Sequence, residues 1–262
     1  MRLATYNVLH GRSPADGVLD PARLTQAVAE LDPDVLGLQE VDRAQDRSGR
    51  CDLTAVAAEA MGAVAYRYEP CLLGTPGGLW VPATTAAPER ASFGIALLSR
   101  YPVTRWDVLR LPWIGAGFAL PLPGVGKGIM IREEPRVAIV AHLDTPSGPK
   151  VVVNTHLTYV PGWGRRQLRK LRDELAQVDG PLALMGDLNM FGSQPGAITG
   201  YRSLAAHKTF PGRSPRVQLD HILARGRWGD VLASRAVRLA VSDHLALVVD
   251  VADPPEPDSR RE

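Results

Sequence analysis

Short apolar segments recur along the whole of this chain, and most of them follow one another without a helical segment between them. They predict strands near residues 3–8, 34–40, 66–73, 93–99, 103–111, 129–143, 150–156, 182–186, 218–224, 231–241 and 245–251. Helical periodicity is confined to segments near residues 20–32, 52–61 and 164–178. A purely parallel sheet needs a crossover helix between neighbouring strands, which this pattern does not supply. The sequence therefore favours an α+β fold in which two mixed sheets stack and a few helices lie outside them.

The composition is that of a soluble globular protein. Of the 262 residues, 45% are hydrophobic and 22% are charged, which excludes a disordered or fibrous chain. The formal net charge is only +2, which argues against a protein that binds nucleic acid through charge alone. Two loops rich in glycine and proline, residues 74–91 and 112–128, resemble insertions rather than domain boundaries. We therefore predict one domain over residues 1–251 and a flexible tail over residues 252–262.

The cellular setting is predicted from targeting signals and cysteine content. The N-terminal segment has no apolar run followed by a cleavage site. Residues 109–125 are weakly polar, but prolines and glycines interrupt them, so they cannot form a membrane-spanning helix. Cys51 and Cys71 are too few for a disulfide framework, and we expect two free thiols rather than one bridge. These features predict a cytoplasmic protein, and we expect a monomer.

Polar side chains mark the ends of the predicted strands. Because strand ends at one rim of a sheet can converge from distant parts of a chain, we expect several of these side chains to meet. A cluster of oxygen ligands flanked by histidines suits Mg²⁺ or Mn²⁺ better than Zn²⁺. Each residue taken singly is equally consistent with a cap or a turn. The residues are Asn7, Glu40, His156, Asp187, Asn189, Asp220, Asp243 and His244.

Six short motifs contain these residues, and each follows an apolar run. In chain order they are Thr5-Tyr6-Asn7, Gly37-Leu38-Gln39-Glu40, Asn154-Thr155-His156, Gly186-Asp187-Leu188-Asn189, Gln218-Leu219-Asp220-His221-Ile222 and Ser242-Asp243-His244. Together they resemble the successive motifs of the endonuclease/exonuclease/phosphatase family, which includes DNase I. The resemblance covers residues 3–249. It implies a DNase I-like four-layer α/β/β/α sandwich with a site between the sheets, and metal-dependent cleavage of phosphoesters.

The resemblance also implies a set of metal-binding residues. Glu40 matches the glutamate that binds the metal ion, and Asn7 matches the asparagine beside it. Asp243 matches a further carboxylate close to the metal or to water. The implied cofactor is Mg²⁺ or Mn²⁺.

The implied catalytic residues lie in the later motifs. Asp187 matches the aspartate that orients or deprotonates the attacking water, and Asn189 matches the asparagine that supports it. Asp220 and His244 match a paired carboxylate and imidazole. His156 matches a histidine that faces the phosphate.

The chemistry of these side chains agrees with such roles. An exposed aspartate has a pKa of about 4, so Asp187 would owe any basicity to its surroundings. A neighbouring Asp220 favours a cationic His244, which would stabilise charge that develops on the phosphorus oxygens. We expect His156 to do the same from the other side. The sequence leaves open which residue is the general base.

The remaining histidines receive separate predictions. We assign His142 and His207 to structural roles. His221 follows Asp220 on a predicted strand, so its side chain should point away from the site. His10 lies just past Asn7, as does Arg12, and both are candidates for contact with substrate as well as ordinary loop residues.

Other charged residues are interpreted as part of the surface. Arg165 and Arg166 are equally consistent with a phosphate contact and with a solvated helix face. The carboxylates of Asp16, Asp20, Asp42 and Asp46 are predicted to be loop charges and helix caps.

Three functions remain open on this basis. We favour a divalent-metal-dependent phosphodiesterase or endonuclease that acts on DNA or RNA through in-line attack by water. The alternative is a sphingomyelinase-like enzyme or another lipid or small-molecule phosphoesterase. A non-catalytic binding member is third, and it is disfavoured because every motif residue is present. Leu9 stands where the AP-endonuclease branch usually has an acidic residue, which argues against abasic-site repair.

The two long loops bear on the choice of substrate. They carry the large apolar residues Trp80, Trp113, Ile114, Phe118 and Leu120. If exposed, these side chains would suit contact with lipid or stacking on nucleobases. The alternative is that they pack against the protein's own surface.

Overall fold

The structure, a computed structural model, describes residues 1–84, 90–115, 117–120, 129–160 and 162–252, with side chains at all of these except residues 117–120 and 129–131. The strands are β1 (Arg2–Asn7), β2 (Val35–Arg43), β3 (Ala65–Gly74), β4 (Trp80–Pro82), β5 (Ser92–Ser99), β6 (Val103–Arg110), β7 (Gly117–Leu120), β8 (Ile129–Arg132), β9 (Val137–Leu143), β10 (Lys150–His156), β11 (Leu182–Asp187), β12 (Arg202–Ser203), β13 (Asp220–Arg225), β14 (Val231–Val237) and β15 (Ala246–Val251). The helices are α1 (Pro21–Leu31), α2 (Leu53–Met61), α3 (Trp163–Leu175) and α4 (Gln194–Thr199).

These strands form two large mixed sheets and one small ribbon. The first sheet has seven strands in the order β14-β15-β1-β2-β5-β3-β4, and the second has six in the order β12-β13-β11-β10-β9-β6. Strand β1 is parallel to β2, and β10 is parallel to β11, whereas the other pairs within the two sheets are antiparallel. Strands β7 and β8 pair only with each other. The predicted pair of mixed sheets is therefore confirmed.

Alternation along the strands divides the apolar residues into three layers. On β1, Leu3 lies in the layer between the sheets, whereas Ala4 packs towards α1 and α2. On β10, Val152 faces the layer between the sheets, whereas Val153 packs towards α3. Side chains of a strand point alternately to its two faces, so each sheet is buried on both sides. The result is the predicted α/β/β/α order of layers.

The first two helices begin and end at recognisable residues. The side chain of Asp20 accepts a hydrogen bond from Ala22 N at the start of α1, and Asp52 caps α2 in the same way. Both helices end where a residue adopts a left-handed conformation, at Asp32 and at Gly62. The prediction of caps is confirmed for Asp20.

One polar side chain joins the two sheets through the layer between them. Asn154 on β10 donates from Nδ2 to the carbonyls of Leu38 and Ala96 in the first sheet, at 2.9 and 2.8 Å. Its Oδ1 accepts a hydrogen bond from Gln39 Nε2 at 2.7 Å. A Cβ at Gly37 would lie 2.8 Å from this Oδ1, so only glycine leaves room for the bridge.

Several local predictions need correction. The segment 129–143 forms two strands, because residues 133–136 (Glu-Glu-Pro-Arg) interrupt it; β8 pairs with β7 in the ribbon, whereas β9 belongs to the second sheet. Loop 74–91 contains β4, and loop 112–128 contains β7. Trp80 is buried and packs with Leu72, Phe93 and the half-buried Trp113, so it is not available to lipid. Ile114 is 38% exposed. The side chains of Phe118 and Leu120, residues 85–89, 116, 121–128 and 161, and the predicted tail beyond residue 252 lie outside the described residues.

Two further expectations concern the thiols and the membrane. Cys51 and Cys71 both carry free thiols, as predicted. Within the described part of the chain, no helix combines the length and the apolar character needed to cross a membrane.

Candidate active site

The carboxyl ends of two parallel strand pairs meet at one edge of the sandwich. Asn7 is the last residue of β1, and Glu40 lies near the end of β2 beside it. In the opposite sheet, His156 ends β10 directly across from Asp187, which ends β11. Since β13 runs antiparallel to β11, its first residue, Asp220, is paired with Asp187. The sheet topology thus brings five predicted residues to one rim.

A bulge in β2 determines where Glu40 points. Leu38 pairs with Ala96 and Val41 pairs with Gly94, so two residues of β2 stand opposite one residue of β5. Within this bulge Glu40 has a φ of 57°, a left-handed conformation that is uncommon for residues other than glycine. A bulge of this kind redirects a side chain relative to regular alternation. Here it turns the carboxylate of Glu40 towards the end of β1.

Asn7 connects carboxylates from the two sheets. Its Nδ2 donates to Glu40 Oε1 at 3.0 Å and to Asp187 Oδ2 at 3.1 Å. Its Oδ1 accepts a hydrogen bond from Leu9 N at 3.1 Å, which fixes the orientation of the amide. Burial is the main cause that raises the pKa of Glu40, and the hydrogen bond from Asn7 opposes it.

Asp187 is the centre of the cluster. Its Oδ2 lies 3.4 Å from His156 Nε2 and 3.8 Å from His244 Nε2. Its Oδ1 accepts a hydrogen bond from Asn189 N at 3.0 Å. Asn189 has a φ of 49°, and its Nδ2 donates to Leu157 O at 2.9 Å, so the turn after β11 is held against the end of β10. Burial and repulsion by Asp220 raise the pKa of Asp187 to about 7, although His244 opposes the shift.

His244 and Asp220 form a buried pair. His244 Nδ1 lies 2.9 Å from Asp220 Oδ2, and the ring of Phe210 packs 4.9 Å from the imidazole centroid. Burial lowers the pKa of His244, but attraction to Asp220 and Asp187 outweighs it and raises the pKa to about 10. His244 is therefore cationic at neutral pH, as the sequence predicted.

His156 differs from the prediction in its charge. Burial, together with the nearby cations Arg136 and His244, lowers its pKa well below the ordinary value, even though Asp187 lies close. A buried imidazole loses hydration when it is charged, and here the neighbouring cations add to that penalty. His156 therefore faces the cavity as a neutral hydrogen-bonding group rather than as a second cation.

A cavity of about 370 Å³ opens over this cluster. It is lined by His10, Glu40, Arg47, Pro76, Phe93, Arg132, Glu133, Glu134, Arg136, His156, Tyr159, Asp187, Asn189, Phe210, Leu219 and His244. Asp243 is not part of this lining. It lines a second cavity of about 500 Å³, together with His244, Arg213 and Arg238.

The chain is similar to a known protein family. The model of the endonuclease/exonuclease/phosphatase family matches residues 4–244. The chain belongs to this family. Members of the family are generally hydrolases of phosphoesters. No curated protein matches the chain.

Solved structures of the endonuclease/exonuclease/phosphatase family share the fold. One from Beutenbergia cavernae is 24% identical, with 99% of this chain and 73% of that chain covered and a TM-score of 0.69. The mannosyl-6-phosphatase of Bacteroides thetaiotaomicron is 17% identical over 96% of this chain and 99% of that one, with a TM-score of 0.58. The human Nocturnin catalytic domain, solved with bound sulfate, is 18% identical over 96% and 94%, with a TM-score of 0.61.

The family implies a divalent metal ion, and the side chains present fit one. Single ligand atoms of Asp187, Asp220 and His244 lie within 4.8 Å of one another. Asp220 Oδ1 is buried without a hydrogen-bond partner among the described residues. Glu40 adds a third carboxylate, joined to Asp187 through Asn7. Carboxylates this close repel one another unless a cation lies between or beside them, and their oxygens suit Mg²⁺ or Mn²⁺.

Sequence reasoning missed much of the cavity wall. Arg47, Arg136 and Tyr159 lie outside the six family motifs, and their loops take paths that local sequence does not reveal. Glu133 and Glu134 were absorbed into a predicted strand. One available signal was the polar stretch 133–136, which interrupts an otherwise apolar segment.

Three of the remaining histidines and two arginines of α3 lie outside the cluster around Asp187. His142 contacts Asp107 and Arg105, and His207 contacts Ser234, which agrees with structural roles. His221 points away from the cluster and contacts Met190 O, as predicted. Arg165 contacts Gln194 and Arg166 stacks on Trp163, and neither lines the cavity.

Asp42 requires a correction. It was predicted to be a loop charge, but it lies on β2 and is fully buried. Both of its carboxylate oxygens accept hydrogen bonds from Arg47. The predicted strand ended at residue 40, before Asp42, and the partner Arg47 lies in the loop that follows β2.

Proposed function

We propose that this protein is a divalent-metal-dependent phosphoester hydrolase that uses in-line attack by water. The observation that carries the proposal is the meeting of Glu40, Asp187 and His244 in one cavity wall, where Asn7 donates hydrogen bonds to Glu40 and Asp187 and His244 lies in close ionic contact with Asp187. A phosphate bound there would face a cationic imidazole and a carboxylate within reach of a water molecule. These are the two groups that hydrolysis of an anionic ester requires.

Metal binding is assigned to Glu40 and Asn7, with Asp187 beside them. A bound Mg²⁺ or Mn²⁺ would supply neutralisation of a phosphate oxygen and of the departing oxygen. Asp243, which lines the second cavity together with His244, is a further candidate ligand.

The protein groups divide the remaining tasks. Asp187 would orient and accept the proton of the attacking water, and the backbone of Asn189 holds its carboxylate in place. Asp220 keeps His244 cationic and oriented, so that His244 stabilises negative charge on the phosphate. His156, as a neutral imidazole, would donate a hydrogen bond to the phosphate from the side opposite His244.

We propose nucleic acid as the first substrate class. Arginines and aromatic rings, including Arg47, Arg136, Phe93 and Tyr159, line the cavity together. Such a wall suits phosphate contacts combined with stacking against bases. DNA or RNA would be cleaved at an internal or terminal phosphodiester.

A small phosphoester is the second candidate. The buried Glu133 and the adjacent Glu134 also line the cavity, and carboxylates there disfavour a continuous polyanion. Glu133 Oε1 has no hydrogen-bond partner among the described residues and would accept one from a hydroxyl group. The phosphate ester of a small alcohol that has a free hydroxyl group meets this requirement. A lipid phosphoester differs from it only in the organic group attached beyond the ester.

The test is a panel of supercoiled plasmid, single-stranded RNA, p-nitrophenyl phosphate, bis-p-nitrophenyl phosphate and sphingomyelin, assayed with Mg²⁺, with Mn²⁺ and with EDTA. We expect turnover of at least one substrate that EDTA abolishes. Asp187→Ala and His244→Ala should each lower the rate by about 10² or more, whereas His207→Ala should not. If the folded, metal-supplied protein hydrolyses none of these esters, it is a binding member of the family.

A further inference from the structure

A buried ion pair lies beside the proposed catalytic cluster and takes no part in it. Asp42 is two residues beyond Glu40 on β2 and is fully buried. Arg47 donates from Nε to Asp42 Oδ2 at 2.8 Å and from Nη2 to Asp42 Oδ1 at 2.7 Å. Burying a carboxylate is unfavourable unless it is paired in this way. The pair therefore fixes the plane of the Arg47 guanidinium.

The fixed guanidinium borders the cavity. Its carbon lies 5.7 Å from the centroid of the Phe93 ring, which also lines the cavity. The Arg47 side chain is 27% exposed, although its partner Asp42 is not exposed at all. An arginine has five N–H donors, and Asp42 takes two of them. The others have no hydrogen-bond partner among the described residues.

His10 stands next to Arg47 in the same wall. Its φ of 47° places it in the left-handed region, and it follows Leu9, which the Asn7 side chain holds. Burial and the charges of Arg47 and Arg12 lower the pKa of His10 to about 4. A neutral imidazole can donate or accept a hydrogen bond without adding charge, so the positive charge beside His10 on the cavity lining comes from Arg47.

We propose that Arg47, held in place by Asp42, binds a second phosphate group of the substrate, distinct from the phosphate that is attacked. This inference rests on the proposed function, because it takes the attacked phosphate to lie at Glu40, Asp187 and His244. Arg47 is then a specificity-determining residue, and Asp42 is a positioning residue that acts through it.

The geometry favours a phosphate over other ligands. A planar guanidinium with free N–H donors matches two oxygens of a phosphate, and its orientation is set before the ligand arrives. Preorganisation of this kind lowers the entropy lost on binding. The second phosphate can belong to the next unit of a nucleic acid chain or to a bisphosphorylated small molecule.

Calorimetric titration distinguishes these cases. Two ligand pairs are compared in Mg²⁺: adenosine 3′,5′-bisphosphate against adenosine 5′-monophosphate, and fructose 1,6-bisphosphate against fructose 6-phosphate. A His244→Ala background prevents turnover during the titration. We expect at least one bisphosphate to bind tenfold or more tightly than its monophosphate. If only the adenosine bisphosphate binds more tightly than its monophosphate, the site is a nucleic acid subsite. If the fructose bisphosphate binds more tightly than its monophosphate, the site is a small-molecule subsite.

Variants then assign the preference to the ion pair. Arg47→Gln should bring the ratio of the two dissociation constants close to one. Asp42→Asn should lower the ratio, and the double variant should lower it no further than Arg47→Gln alone. Arg110→Gln is the matched control, because Arg110 pairs with the buried Glu69 but does not line the cavity. It should leave the ratio unchanged.

The outcomes separate this inference from the proposed function. The second-phosphate site is overturned if the ratio of dissociation constants is one in the protein that keeps Arg47. It is also overturned if a ratio above one persists in Arg47→Gln. If Arg47→Gln does not fold, Arg47→Lys serves instead, since lysine keeps the charge but loses the fixed fork. If the preference for the bisphosphate depends on Arg47 but none of the phosphoester substrates is hydrolysed, the second-phosphate site is supported and the proposed hydrolase activity is refuted.

Discussion

Several residues around the cavity hold a backbone conformation that side chains rarely adopt. His10, Glu40, Asn189 and Ser242 all have φ between 47° and 75°. Each such residue other than glycine costs about 1–2 kcal/mol, and the surrounding contacts must maintain it. Strain of this kind concentrates where side chains are held in a functional geometry. Contacts within the fold, such as the hydrogen bond from Leu9 to Asn7 and the one from Asn189 to Asp187, hold these conformations in place.

Glu40 is expected to be unfavourable for stability in the absence of metal. Burial raises its pKa above that of the unfolded chain, so the ionised carboxylate opposes folding at pH 7. Glu40→Gln should increase the free energy of unfolding by on the order of 1 kcal/mol, measured by urea denaturation in EDTA. Glu59→Gln, at an exposed position on α2, is the control and should change it little. A loss of stability in Glu40→Gln would contradict the prediction.

His10 should make stability depend on pH. Its pKa is about 4 in the folded protein and about 6.5 in the unfolded chain. Between these values only the unfolded chain takes up the proton, so the free energy of unfolding should fall as the pH falls from about 6.5 to about 4. His10→Asn, which tolerates the left-handed backbone, should show a shallower decline in urea midpoints across that range. Equal slopes for the two proteins would refute this assignment.

The sequence predicted which residues form the cluster better than it predicted their charge states and partners. Asn7, Glu40, Asp187 and His244 stand in short motifs at strand ends, where topology alone brings them together. The lowered pKa of His156 comes first from its burial and then from the nearby charges of Arg136 and His244, which only the folded chain brings close. Asp42 was misread because the predicted strand ended at residue 40, whereas β2 continues to Arg43, and because the sequence does not reveal its pairing with Arg47. Charge and pairing are properties of tertiary surroundings.

At the level of elements, Gly186 sets how closely β10 and β11 approach beside the cavity. A Cβ there would lie within 1.8 Å of Thr155 O, and its φ of 144° is unsuited to other residues. Gly186→Ala should therefore lower the free energy of unfolding by about 3 kcal/mol or more, or prevent folding.

Gly148→Ala is the control for this substitution. Gly148 also has a positive φ, 92°, but nothing lies within 4 Å of its Cβ position. It should lose only about 1 kcal/mol, measured by thermal denaturation of both variants. Equal losses would show that backbone conformation, not contact with Thr155, determines the effect.

Elements with regular periodicity were predicted well from sequence. Apart from the short strands β4 and β12, the strands of both sheets follow apolar spacing that local sequence determines, as do the three longest helices. The bulge at Glu40 and the separation of β8 from β9 were not predicted, because each depends on how a neighbouring strand pairs. The short strand β4 was missed for the same reason: its three residues gain order only by pairing with β3.

For the whole molecule, metal binding should be visible as stability. Mg²⁺ at about 100 times its dissociation constant should raise the free energy of unfolding by about 2.7 kcal/mol, because the unfolded chain lacks the site. Thermal denaturation with and without Mg²⁺ measures this. Glu40→Gln should remove most of the rise, and Arg110→Gln should retain it. An equal rise in Glu40→Gln would place the ion elsewhere.

The two sheets supply different halves of the cluster. The first sheet carries Asn7 and Glu40, and the second carries His156, Asp187 and Asp220. The spacing between them is a property of the whole sandwich. Sequence predicted the stacking of the sheets, but it gave no information about this spacing.

Asn154 has a consequence for how the protein tolerates mutation. From across the core, its amide donates to the carbonyl of Leu38 and accepts a hydrogen bond from the side chain of Gln39, a residue of the bulge that also contains Glu40. Shear between the layers would break these bonds and leave buried carbonyls unsatisfied. Alignment of the opposing carboxylates therefore depends on a side chain that no ligand touches, and random mutagenesis should find inactivating, well-expressed alleles there as well as in the cavity.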